Sequence, residues 1–522
     1  MKIAALFCAL LVLTPVCAAA QTPSIAFVPL DDRPVTYQLP QMLARIAGVR
    51  MLVPPKPMLG RYLRAGRPED LIAWLNTGDR RRANDYVVST DMLAYGGLVA
   101  SRVPGVTYAD AINRLRELRH IRTINPAAYT SAFGTIMRLA PTGVPNFGEG
   151  KNFFAAYPVW KYLQQYANLH DPATSSEEAL ATQLATEIGQ PTLQAYLDTR
   201  ARNLAVDLNV VQLLAENVVN RAALGQDDAG QVGLHIKDVA ALEAAVARAG
   251  VGGRISIEPG ADELGMALTA RALARQIRWT PRIAVHYSTP SGADYLDPLE
   301  FAPISVAING LIELCGGIHA DEHPDITLFV RVPHTDAAAD AVFLAAIKER
   351  IAEHSPAAVA DLTFLEISFV SQARFAKTIL DDGTASALEA YSSWNTNANT
   401  VGTALAESIA AGTGRRAHRY GALAHAEFTF NRFVDDYAFH DFVRPDLNRW
   451  LNAQGITDHT YLLPQAAAST ADRNNALLWN DAAALLAQLY PQYHIAAIRL
   501  DLPWDRTFET GIDAALAPGL PR

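Results

Sequence analysis

Cysteine is scarce in this chain, with three residues in 522. Cys8 and Cys17 fall in an N-terminal stretch that reads as a cleaved leader, which leaves Cys315 alone. An internal disulfide framework is therefore excluded, and the core must hold the fold. Zinc-type cysteine pairs are missing as well. Positive charge is in short supply: 44 Lys and Arg against 53 Asp and Glu give a net charge of -9. That balance argues against nucleic acid or an anionic membrane surface as the partner. Beyond the leader, no apolar run approaches the roughly 20 residues needed to cross a bilayer. There is no Gly-Lys-Ser/Thr phosphate loop, dinucleotide fingerprint or serine nucleophile elbow. His319 and His323 stand four apart, but between Gly316-Gly317 and Pro324, where a helix that would pair them as metal ligands is not expected. No fixed-period repeat, low-complexity linker or pseudo-duplication is visible. Neither a cofactor nor a metal is expected.

What is present begins with that leader. Lys2 supplies the charge, residues 3–13 the apolar core and Ala18-Ala19-Ala20 a small-residue cleavage site. Residues 1–20 are thus expected to be a signal peptide, and the mature protein periplasmic or secreted. Hydrophobic residues make up 50% of the chain and charged residues 19%, a composition suited to a globular enzyme.

Short apolar runs bounded by turn residues predict strands at 25–29, 50–53, 86–89, 129–136, 255–257 and 283–286. A further strand is expected at 233–236 or just before it. Later runs at 326–332, 362–369 and 495–502 read the same way. Helical spacing marks 108–120, 180–188, 193–214, 239–249, 266–277, 401–411 and 467–490. Strand-helix alternation implies an α/β protein with a parallel sheet. The expected architecture is a (β/α) barrel-like domain over 24–400, carrying a helical insertion at about 152–222. An α/β extension at 401–522 would pack on it. A doubly wound open sheet is the alternative.

Acidic clusters follow several of these runs. Asp31-Asp32-Arg33-Pro34 follows the first, and Asp91 with Tyr95-Gly96-Gly97 the third. Gly225-Gln226-Asp227-Asp228 and Pro259-Gly260-Ala261-Asp262-Glu263 are two more. In α/β proteins the carboxyl ends of strands form the ligand face, so these clusters are expected to share one pocket. Adjacent Asp262 and Glu263 can divide acid and orienting duties, with Glu263 as general acid and Asp262 as its orienting partner. The alternative is that both merely begin a helix, whose positive end favours acids. Asp31, Asp32, Arg33, Asp91, Tyr95, Asp227 and Asp228 would bind hydroxyls. Arg138 and His286 end two other apolar runs and join that set. Trp394, Asn395 and Asn399 precede a helix, and Trp with amides suits a sugar ring. A helix cap with a packed Trp is the other reading.

The segments Pro29-Leu30-Asp31-Asp32-Arg33-Pro34, Asp91 to Arg102, Gln226-Asp227-Asp228, Pro259 to Glu263, Trp394-Asn395-Thr396 with Asn399, and Pro503-Trp504 with Arg506-Thr507-Phe508-Glu509 occur together. In these the chain resembles the bacterial family catalogued as domain of unknown function 4127, over nearly its whole length. The resemblance implies no activity.

The residues themselves favour an exported, exo-acting glycoside hydrolase, with N-acetylated amino sugars as one substrate class. Its partner would be a small-molecule or oligosaccharide substrate. A metal-dependent hydrolase with an Asp-rich site is one alternative. A periplasmic sugar-binding protein is another, and it would call for two similar lobes.

Overall fold

The computed structural model describes residues 23–142, 159–363 and 375–519. The expected signal peptide lies outside them, as does most of the strand expected at 362–369. The first sheet contains β1 (Ser24–Val28), β2 (Arg50–Leu52), β3 (Asp85–Ser89), β4 (Tyr129–Ile136), β5 (Arg221–Gln226) and β6 (Ile255–Pro259). All its pairs are parallel, in the order β2-β1-β3-β4-β5-β6. The strand expected at 233–236 or just before it is β5, at Arg221–Gln226. Ala222, Ala223 and Leu224 are fully buried there, while His235 begins a helix.

A second parallel sheet contains β7 (Arg282–Tyr287), β8 (Ile318–His319), β9 (Ile326–Arg331), β10 (Ala357–Asp361) and β11 (Ala390–Ser392). The parallel α/β class read from the sequence is present, but its strands are shared between two sheets. Read from its β8 edge, the second sheet runs β8-β7-β9-β10-β11. That repeats the first five places of the first sheet, a doubly wound order that no sequence similarity betrays. Three helices, Val159–Ala167, Glu178–Ile188 and Gln190–Ala215, lie between β4 and β5.

The core between the sheets is built on the helix Asn397–Arg416, buried at every residue from Asn397 to Gly414. Its sequence is rich in Ala, Gly, Ser and Thr, so neighbours approach closely on all sides. It packs against the helices Leu264–Gln276 and Ile304–Leu314. A helix buried all round has no polar face, which is why its periodicity is weak. The C-terminal helices and the antiparallel hairpin β12 (Tyr493–Asp501) and β13 (Gly511–Pro518) form another core with residues of the second sheet.

Candidate functional site

In the first sheet β1 is flanked by β2 and β3, so the chain leaves it in opposite directions. Such a switch point opens a crevice at the carboxyl ends of the strands. A cleft of about 400 Å³ lies there. Arg33 follows β1, Tyr62 comes from the loop after β2, and Arg102 follows β3. Arg138 follows β4, Asp227 and Asp228 follow β5, and Asp262 follows β6. The second lobe adds Asn395 and Asn399 at the start of the long buried helix. Arg444 and the hairpin tip, with Trp504, Arg506 and Phe508, complete the walls.

Ion pairs fix the charged floor. Arg33 donates to both oxygens of Asp262, at 2.9 and 2.5 Å, and is held from behind by Asp31 at 2.8 to 3.1 Å. Thr36 in turn donates to Asp31 at 2.6 Å. Burial pushes the Asp262 carboxyl up, against the pull of Arg33. Arg102 pairs with Asp227, whose carboxyl burial also raises. Arg138 reaches Asp228 at 3.2 Å. Asp228 has φ 28, a left-handed conformation that Asp tolerates better than most residues. Asn395 donates to Asn399 at 2.6 Å.

Neighbours in sequence meet different fates. Asp262 lines the cleft, but Glu263 is fully buried beneath it and accepts from Asn399. Burial raises Glu263 to about 8. Gly260, with φ 96, makes the turn that allows this, and a Cβ there would lie 2.3 Å from a Glu263 oxygen. Asp32 turns away to accept from the Trp504 indole at 2.7 Å.

Besides Asp31, Asp32 and Glu263, four more residues expected at the pocket are not part of its wall. Asp91 is buried in a helix turn, accepting from the Thr135 amide and hydroxyl at 2.8 and 2.9 Å, and burial raises it to about 7. Tyr95 is buried with the Arg202 guanidinium 4.5 Å from its ring. His286 ends β7 in the other sheet and packs on Phe329 and Phe343. Trp394 is a core residue whose indole donates to Thr403 at 3.0 Å, so the packed-Trp reading applies to it. Arg102, Tyr62, Arg444, Trp504, Arg506 and Phe508 were not anticipated as site residues. The signal for the last three is the Trp504-Asp505-Arg506-Thr507-Phe508 run, which sits on a hairpin where a strand-end rule for parallel sheets does not look. Among the described residues no group of three or more His, Cys, Asp or Glu side chains is placed to hold a metal ion.

A family model described as a protein of unknown function, DUF4127, matches residues 25–513. The chain belongs to the DUF4127 family. No curated protein and no solved structure matches it. The DUF4127 match spans both sheets and reaches into β13, so the cleft lies wholly within it. Among the described residues no helix is long and apolar enough to cross a membrane.

Proposed function

We propose that the cleft is the active site of an exported, exo-acting hydrolase whose substrate is a carbohydrate. The supporting observation is the convergence of Asp262, Asp228, Asn395 and Asn399 with Tyr62, Trp160 and Phe508 in one cleft. Glycoside hydrolysis needs two carboxyl groups at one bond. Asp262, with its raised pKa, is the proton donor to the leaving oxygen. Asp228, whose side chain is 35% exposed, is the second carboxylate, which steadies the developing cation or activates water. Glu263 acts through Asn399 and is a positioning residue. Because Glu263 is buried, the adjacent pair does not offer two carboxyls to one substrate. The acetylated amino-sugar class therefore loses the support that adjacency lent it.

The test is hydrolysis of a panel of chromogenic glycosides, with and without chelator, by wild type and Asp262→Asn. The expected result is chelator-insensitive release by wild type, with turnover about 10²–10⁴-fold lower in the variant. Near-normal release by Asp262→Asn would end the assignment. Release that needs a divalent cation would transfer it to the metal-dependent alternative.

The shared strand order of the two sheets favours a second reading, a two-lobed sugar-binding protein. Saturable binding with no turnover of the bound sugar would select it.

A further inference from the structure

One of the arginines that line the cleft is left without a carboxylate partner. Five arginines line it, at 33, 102, 138, 444 and 506, against the three aspartates 227, 228 and 262. Each aspartate is engaged, with Arg102, Arg138 and Arg33 respectively. Arg506 is paired at 2.7 Å with Glu509 of the same hairpin tip. The Arg444 side chain has no hydrogen-bond or ion-pair partner among the described residues. Of the two acids whose charge it feels, Asp435 is taken by Arg432 at 3.2 Å and Glu509 by Arg506.

Arg444 and Arg506 are nevertheless close neighbours. Their guanidinium carbons lie 5.3 and 4.7 Å from the centre of one ring, Phe508. Arg506 is also held against Trp504 at 4.5 Å and Tyr62 at 5.6 Å. Burial and the charge of Arg506 pull the Arg444 pKa down. Two cations that line one partly desolvated cleft repel each other, and an anion bound there lowers that cost. Planar guanidinium groups match the oxygens of a carboxylate or phosphate. Arg444 also directly follows an 11-residue π-helical stretch, Phe433–Val443, a geometry frequent at functional sites.

We propose that Arg444 and Arg506 form an anion subsite that takes the carboxylate or phosphate of an acidic sugar. The sugar part rests on the carbohydrate reading above; the anion part rests on the arginines alone. The test is titration calorimetry of the full chain with the uronic acids and 6-phosphates of glucose, galactose and mannose, their neutral parents and inorganic phosphate. At least one acidic sugar is expected to bind about tenfold or more tighter than its parent, with the preference lost in Arg444→Gln and partly kept in Arg444→Lys. Tighter uronate marks a carboxylate ligand, and tighter 6-phosphate a phosphate one. Raising salt should weaken the acidic sugar and spare the neutral one in wild type, a measurement that needs no variant.

Equal binding of acidic and neutral sugars, unchanged binding by Arg444→Gln, or no binding at all would overturn the proposal. Inorganic phosphate binding as tightly as the sugar phosphates would likewise overturn it, leaving an ion site without sugar recognition. A chain that binds a uronate yet cleaves no glycoside keeps the subsite and loses the hydrolase.

Discussion

Asp262 and Glu263 are adjacent in sequence and separated in role by a single turn. Asp262 faces the cleft in the grip of Arg33, while Glu263 is sealed below with Asn399. At neutral pH Glu263 holds its proton, since burial raises it to about 8. Above that pH a buried negative charge appears next to Asp262 and beneath Asn399. The wild-type rate is therefore expected to fall first above about pH 6, as Asp262 loses the proton it donates, and again above about pH 8, and Glu263→Gln should remove the second fall. An unchanged alkaline limb in a pH–rate profile would refute this positioning role. Why Arg33, Arg138, Asp227, Asp228, Asn395 and Asn399 could be placed from sequence is simple: each follows a strand, and strand ends converge. His286 obeys the same rule but belongs to the other sheet. Asp91 and Tyr95 sit on a helix that turns their side chains into the protein. Arg444 and Arg506 obey no strand rule at all.

Elements with a clear period were legible; those without one were not. The strands β1 to β4 and the last two helices of the insertion stand out because burial alternates with exposure or is sharply bounded; the helix Val159–Ala167 does not. The helix Asn397–Arg416 is longer than its apolar pattern suggests, since small residues let it be buried on every side. That burial makes it intolerant of added volume. A Cβ on Gly402 would lie 2.6 Å from the Glu263 side chain. Gly402→Ala is expected to destabilise the protein by about 1–3 kcal/mol, despite the better helix propensity of Ala. Chemical denaturation measures this, and a stabilised variant would show that the helix can shift. The division into two sheets was not legible, because consecutive βα units read alike whether or not they join one sheet.

Across the whole molecule, several carboxyl groups are buried in their neutral form. Glu258, Glu263 and Glu300 are each raised by burial to about 8, from an ordinary 4.5. Over that interval the folded chain binds more protons than the unfolded one. Their contribution to stability is complete below about pH 4.5 and is lost as pH rises through about 8. The melting temperature is expected to be lower at pH 9 than at pH 6, with a smaller drop in Glu263→Gln. A melting temperature flat across this range would contradict the buried-acid picture. The hairpin tip carries a different consequence. Arg33 and Trp504 meet across 471 positions of sequence, the guanidinium 4.5 Å from the indole ring. The cleft is therefore walled by residues from both ends of the chain. A chain that stopped short of the hairpin would lack Trp504, Arg506 and Phe508, and with them one wall of the cleft.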